Sequence, residues 1–337
     1  AEERELTIQN WQRVADERER TIGDFRRLAE ERERAVEDWR RVAEERERTI
    51  EDWKRVADEL GRKQAELKRI EAEIPAQARA MAQLGVAKVA DFQDAAYAHE
   101  YLDLLARLRA VDEAAGGPAH DFLFTATAAK YLANAMAYDD VIRVADLKTR
   151  AARHTRVARE IGLKDGQVLQ TTEYFHPRAE ELVGMLPTRW AARIDAHPAL
   201  RNWLDARVSK GRRIRTYSIF GFATLYAIAG LKPRRRASRR HAVEVAHRDA
   251  WLARGMETAP RNYELGVEIL KCRRLIKGYS DTHARGLSKF DRVMATIRTL
   301  ETREDAADWA LRLREAAIRD ASGSQLDGAI KTVESFA

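Results

Sequence analysis

Apolar residues in the first quarter of the chain recur at a fixed interval. Ile8-Gln9-Asn10-Trp11, Ile22-Gly23-Asp24-Phe25, Val36-Glu37-Asp38-Trp39 and Ile50-Glu51-Asp52-Trp53 stand 14 residues apart. Each continues with Arg, an aliphatic residue, Ala and an acidic residue, as in Arg41-Val42-Ala43-Glu44. Fourteen residues are two heptads, so the apolar positions stay on one helical face over many turns. No proline precedes Pro75, and an uninterrupted helix of about 70 residues would run roughly 105 Å. With Ile8 at position a, Trp11 falls at d and Ala15 at the next a, but the next d position is Arg18, and every second d after it is likewise arginine, Arg32 and Arg46, until Leu60 restores an apolar residue. Val14, Leu28, Val42 and Val56 fall at g and widen the seam. A broad bundle with packed arginine stems and outward heads suits this pattern better than a tight two-stranded zipper. Acidic–basic pairs such as Glu17 with Arg20 and Glu30 with Arg34 add only a few tenths of a kcal/mol each, about the usual helix-surface value. The repeat therefore predicts an amphipathic helix that spaces domains or joins copies of the chain into a homo-oligomer.

The repeat stops at Ile74-Pro75, which sets the expected boundary between a repeat helix over 1–74 and a second domain over 75–337. Helical patterns then cover about 76–89, 92–112, 120–137, 150–161, 178–197, 198–208, 216–230, 237–255, 260–277 and 304–321. Turn signals separate them: Gly116-Gly117-Pro118, Asp165-Gly166, His176-Pro177, Lys210-Gly211, Lys232-Pro233 and Gly278. The stretch 167–175, rich in β-branched and aromatic residues, is the best candidate for extended structure. The expected fold class is all-α: a long N-terminal coiled-coil-like helix, then an irregular multi-helix domain.

Composition agrees with a helical protein holding a real core, since 45% of residues are apolar, 34% are charged and only 7 are proline. Cys272 is the sole cysteine, so an intrachain disulfide, a four-cysteine metal site and a cysteine-held iron–sulfur cluster are all excluded within this chain. A reducing, cytoplasmic setting is the expectation. The opening Ala1-Glu2-Glu3-Arg4-Glu5 does not read as a signal peptide, and the most apolar run, 217–231, is too short and too closely flanked by arginines to span a bilayer. The net charge of +7 is uneven: residues 1–74 hold 18 basic and 22 acidic residues, and the remainder carries +11.

Several segments of the second domain share a pattern with a known family. They are Leu84-Gly85 with Val89-Ala90-Asp91-Phe92-Gln93-Asp94-Ala95-Ala96-Tyr97-Ala98, then Tyr138-Asp139-Asp140-Val141-Ile142-Arg143-Val144-Ala145-Asp146-Leu147-Lys148-Thr149-Arg150, and Thr172-Glu173-Tyr174-Phe175-His176-Pro177-Arg178. Ile214-Arg215-Thr216 with Gly221-Phe222 follows, and finally Leu275-Ile276-Lys277-Gly278-Tyr279-Ser280-Asp281-Thr282-His283-Ala284-Arg285-Gly286. In order and spacing these resemble the helical region that follows the catalytic domains in the indolepyruvate ferredoxin oxidoreductases of aerobic bacteria, over about 77–330. The last string is the most specific, and Ser280 stands where the pattern has Gly. The resemblance implies an enzyme that oxidatively decarboxylates aryl pyruvates to acyl-CoA with thiamine diphosphate and iron–sulfur clusters. None of that machinery is visible here: there is no Gly-Asp-Gly with an Asn-bearing metal loop, no cysteine quartet and no glycine-rich diphosphate cradle. The expected role is an accessory part, non-catalytic by itself, that docks on thiamine and iron–sulfur domains or subunits. A coiled-coil scaffold or protein-interaction module without enzymatic role is the alternative.

The candidate ligand- or partner-facing residues are Lys277, Tyr279, Asp281, His283 and Arg285, with Arg212, Arg213 and Arg215 nearby; no catalytic residue and no metal ligand is assigned. Ionisable groups crowd a glycine turn there, and two readings stay open. The segment is either a loop touching CoA, substrate or a catalytic domain, or a helix N-terminus capped by Asp281 or Ser280 with the lysine stem packed. Arg143 and Asp146 read as an i,i+3 ion pair, His176 as a structural residue beside its proline, and Cys272 as a buried apolar one. The stretches 210–215 and 232–240 bracket the apolar run and could form one basic face toward CoA phosphates, an acidic protein such as ferredoxin, or nucleic acid. A solvated patch around a buried helix hairpin is the plainer outcome. No recognition-helix motif or aromatic stacking platform accompanies these stretches, which argues against nucleic acid.

Overall fold

The computed structural model describes residues 2–164, 166–175, 178–208, 212–319 and 323–336. The fold is all-α apart from one two-stranded sheet. By contacts the chain divides into two compact units, Ala1–Lys68 and Arg69–Ala337. The division falls there because Arg69 pairs with Asp103 at 2.6 Å and Ile70 and Ile74 are buried in the core of the second unit.

The repeat forms one helix, α1 (Glu2–Glu73). Within the first unit its apolar stripe meets nothing: Trp11, Phe25, Trp39 and Trp53 are all about two-thirds exposed or more. The surface pairs Asp24–Arg27, Glu30–Arg34 and Asp38–Arg41 lie at 2.6, 3.4 and 2.8 Å. Being solvent-exposed, they add solubility more than stability.

In the second unit α2 (Ala76–Phe92), α3 (Ala95–Ala114) and α4 (Leu123–Met136) pack on one another. The buried stripe of α2 is Ala78, Ala82, Gly85, Val86, Val89 and Phe92, a helical period built from small residues that lets the neighbouring helices come close. Then come α5 (Val141–Thr149), α6 (Ala151–Glu160), strand β1 (Thr172–Phe175), α7 (Ala179–Gly184), α8 (Thr188–Asp195), α9 (Pro198–Val208) and strand β2 (Arg212–Arg215). Last are α10 (Ile219–Ala229), α11 (Arg239–Thr258), α12 (Tyr263–Lys271), α13 (Asp281–Leu300), α14 (Ala306–Arg319) and α15 (Ser324–Glu334). Side chains start five of the helices: Asp94, Asp140, Ser218, Ser238 and Asn262 each accept from the backbone N–H three residues on.

The helix expected over 178–197 is broken in two because Pro187 lacks the N–H that would continue it and instead precedes α8. The pattern over 260–277 stops at Lys271 and tightens into a 3-10 turn, Cys272–Leu275. The extended candidate 167–175 yields only β1, antiparallel to β2 with Glu173 opposite Ile214 and Tyr174 opposite Arg213. Long-range polar ties fix the helices. Asp112, fully buried, accepts from Thr125 N–H, the Thr125 hydroxyl and the Tyr263 hydroxyl at 2.8, 2.6 and 2.8 Å, joining α3, α4 and α12. One large core runs through α2–α4 and α11–α15, and a small separate cluster holds Val141 and Val144 against Met185, Ile214, Ile228 and Tyr279.

Candidate functional site

The site segment begins where α12 ends. Cys272, Arg273 and Leu275 are buried while Arg274 is exposed, the three-residue period of the 3-10 turn setting Cys272 and Leu275 on one face toward the core. The chain then reverses through Gly278 (φ 72) and Ser280 (φ 55), both in the left-handed half of backbone space. Gly286 completes the turn: a Cβ there would lie 2.5 Å from the Leu275 carbonyl oxygen, so α13 can rest on the 3-10 turn only with glycine at this position.

The candidate residues are placed as follows. Lys277 and Arg285 are exposed. Tyr279 packs in the small cluster, where burial pushes its hydroxyl above the ordinary range. Asp281 pairs with Arg178 and does not cap α13; Ser280 occupies the cap position without a side-chain cap, and its N–H donates to Glu181 Oε1 at 2.6 Å. His283 Nε2 lies 3.1 Å from Glu244 Oε1. Ile214 joins Tyr279 in the cluster, so Arg213 and Arg215, its neighbours along β2, project to the opposite face of the sheet. The Arg213 guanidinium stacks over Tyr174 at 5.4 Å and Arg215 is exposed. The side chain of Arg212, and the whole of His176, Lys210 and Gly211, lie outside the described residues. Lys277, His283 and Arg285 are thus brought to one turn, and the strand arginines are not.

The second basic stretch is consumed internally. Arg235 is 0% exposed, bonded to Asp140 Oδ2 at 2.9 Å and to the Phe92 carbonyl at 2.6 Å, with its guanidinium 4.1 Å from the Phe92 ring. Arg236 pairs with Glu100 and Arg240 with Glu244, both at 2.7 Å, and Arg239 pairs with Asp195. Of the basic residues in the second stretch, Arg235, Arg236, Arg239 and Arg240 are therefore spent on contacts within the fold, leaving little of it for one basic face around the apolar run. The run itself is not a buried hairpin: α10 packs on α5, but of its side chains only Leu225 is buried, and Ile219 and Phe220 are 85% and 88% exposed.

Positive charge concentrates elsewhere. A cavity of about 410 Å³ is lined by Arg274, Lys277, Arg285, Lys289 and Arg319, with no acidic residue in its lining among the described residues. A second, of about 420 Å³, shares Arg274 and Lys277 with it and adds Lys88, Lys130, Arg143 and Arg273, with Asp139 as its one acid. Lys277 is the ridge between them. Behind the second cavity, buried Glu244 faces Arg240, Arg273 and His283. Burial alone would raise its carboxyl, but His283 and the two guanidinium groups outweigh that and hold it at about 2. Burial lowers the Lys88 amine, partly countered by Asp139. Arg273, Arg274, Lys88 and Lys130 were not anticipated. Only the Arg273-Arg274 pair beside the glycine turn offered a signal.

Residues 78–296 match a family described as a family of unknown function, DUF6537. The chain belongs to that family. No curated protein matches it, and no solved structure does. The matched span of this DUF6537 chain runs from α2 through most of α13 and so includes both cavities' shared wall, Arg274 and Lys277. As for chemistry, Cys272 is fully buried and burial pushes its thiol up to about 12, which removes it as a nucleophile at neutral pH. Among the described residues no group of three or more His, Cys, Asp or Glu could hold a metal ion, and no helix is long and apolar enough to cross a membrane.

Proposed function

We propose that this chain is an accessory component of an indolepyruvate-type 2-oxoacid oxidoreductase, non-catalytic by itself, which docks on thiamine- and cluster-bearing domains and presents a basic surface to them or to their substrates. The observation that carries this is the position of the 277–285 turn. The segment with the most specific resemblance to that family lies at the walls of two cation-rich cavities instead of being consumed in the core. The exposed apolar face of α10 supplies a docking surface of the kind that marks protein contacts. Thiamine diphosphate, iron–sulfur clusters and CoA belong, on this reading, to the assembled enzyme. The test is genetic and enzymatic. Deleting the coding region for residues 78–296 in the native host should abolish indolepyruvate- and CoA-dependent viologen reduction in anaerobic extracts, and restoring the chain should recover it. Unchanged reduction in the deletion strain would refute the proposal.

A second reading, self-association through α1, is favoured by one observation: every described aromatic of the repeat is exposed. Each buried Trp or Ile would contribute about 1.5–3 kcal/mol to an assembly. Sedimentation should give an oligomer for the full chain and a monomer for the chain lacking residues 1–74. Monomers for both would leave the helix as a spacer.

A further inference from the structure

The second cavity is more than a basic patch, because its charges are not answered by the protein. Arg143 is committed to Asp91 at 2.6 Å and Asp146 at 3.2 Å. Lys88, Lys130, Arg274 and Lys277, by contrast, have no carboxylate within ion-pair distance among the described residues; Lys88 Nζ donates to Asn134 Oδ1 at 2.5 Å, and Lys130 lies over the Tyr131 ring. Asp139 is the only acid in the lining among the described residues, so several positive charges there have no counter-charge beside them.

The fifth cation sets this cavity apart from surface basicity. Arg273 lines it, is 4% exposed, and reaches Glu244 Oε2 only through Nη2 at 3.5 Å. Its Nε and Nη1 are buried with no hydrogen-bond partner. Buried donors left unpaired are rare and costly, and the N–H groups of a charged guanidinium make strong hydrogen bonds to anionic oxygens. Like charges gathered on low-dielectric walls also focus the field into the space between them.

We propose that this cavity is a binding site for a phosphate-bearing ligand of two or more negative charges, of the diphosphate class. Arg274 and Lys277 hold the phosphate at the mouth, Lys88 and Lys130 answer it from α2 and α4, and Arg273 supports the inner wall. A monocarboxylate, including a 2-oxo acid, would leave most of the cavity's charge unanswered, and the count of free cations is what selects phosphate. The proposal rests on the functional reading above only in treating the 277–285 turn as a binding surface.

The experiment is calorimetric titration of the full chain with inorganic diphosphate at low salt, repeated with adenosine 5′-diphosphate and with acetate at matched ionic strength. Saturable 1:1 binding of diphosphate is expected, with acetate at least about a hundredfold weaker because a single charge engages fewer cations. Arg274→Ala and Lys277→Ala, both at exposed positions, should each weaken binding about tenfold and flatten its dependence on salt. Arg213→Ala, on the far face of the sheet, should leave it unchanged. Tighter binding of the nucleotide than of inorganic diphosphate assigns the phosphate to an organic ligand, and equal binding assigns it to the free ion; either supports the site. No saturable binding, acetate binding as tight as diphosphate, or full affinity in Arg274→Ala and Lys277→Ala overturns it. Because the titration involves no oxidoreductase, diphosphate binding without any loss of 2-oxo-acid oxidation in the deletion strain would defeat only the proposed function. The reverse pair of results would defeat only the site.

Discussion

Ser280 sits at φ 55 and ψ −133, a combination that glycine tolerates and other residues adopt at a cost of about 1–3 kcal/mol. The pattern that this segment resembles in indolepyruvate ferredoxin oxidoreductases has Gly at this place, and the backbone conformation here is one that glycine would adopt without strain. Ser280→Gly should therefore stabilise the protein by about 1 kcal/mol, the strain relief being reduced by the freedom glycine gains in the unfolded chain. Urea denaturation measures this, and a lower midpoint would show that the turn carries no strain. Gly286 makes the opposite prediction within the same turn. A methyl there meets the Leu275 carbonyl at 2.5 Å, a backbone atom that cannot swing aside. Gly286→Ala should destabilise by about 2–3 kcal/mol, as overpacking does, and disturb the Lys277 ridge with it. Retained stability in Gly286→Ala would mean α13 can lift off the 3-10 turn.

Among the elements, α10 separates apolar character from burial most clearly. Its sequence, Ile-Phe-Gly-Phe-Ala-Thr-Leu-Tyr-Ala-Ile-Ala, is apolar on every side, and the natural expectation was a buried helix. It packs chiefly on the short helix α5, with a lesser contact to β2, and these cover one side only. Phe220→Asp should accordingly change the unfolding free energy by less than about 0.5 kcal/mol, as substitutions at open surface do. Leu225→Ala, at the one buried side chain, should cost about 2–5 kcal/mol. Chemical denaturation of both variants decides the matter: a large loss in Phe220→Asp would place that ring in a packed environment.

In the second unit several titratable side chains are held away from water beside the apolar core, and pH should expose them. Glu244 has a folded value near 2 against an ordinary 4.5, so its contribution is complete above about pH 4.5 and is lost as pH falls toward 2. His241 and His247 are shifted down, both chiefly by burial, with nearby arginines adding. The unfolded chain therefore takes up their protons first, and stability should already decline as pH drops below about 6.5. Thermal melts from pH 8 to 2 should show this two-stage fall, and His241→Gln should flatten the upper stage. A melting temperature flat between pH 8 and 5 would contradict it. Glu244→Gln, which strands Arg240, Arg273 and His283 without their counter-charge, should cost about 3–5 kcal/mol at neutral pH.

What the residues determined by themselves is local and periodic. The 14-residue repeat dictates α1, since a stripe kept in phase over many turns has no other regular solution. The caps at Asp94, Asp140, Ser238 and Asn262 each act within three residues. The Arg143–Asp146 pair and the turn at Gly278 are similarly short-range. Tertiary structure alone decided which charges are free. Arg234-Arg235-Arg236 looks like a solvated run, yet Arg235 is enclosed by Asp140 and Phe92, residues far away in the chain. Lys88 and Lys130 carry no signal of their own and become a site only because α2 packs on α4 and the 3-10 turn brings Arg273 and Arg274 to the same cavity. An ion pair needs only distance, and distance between remote residues is set by packing, which no local pattern encodes.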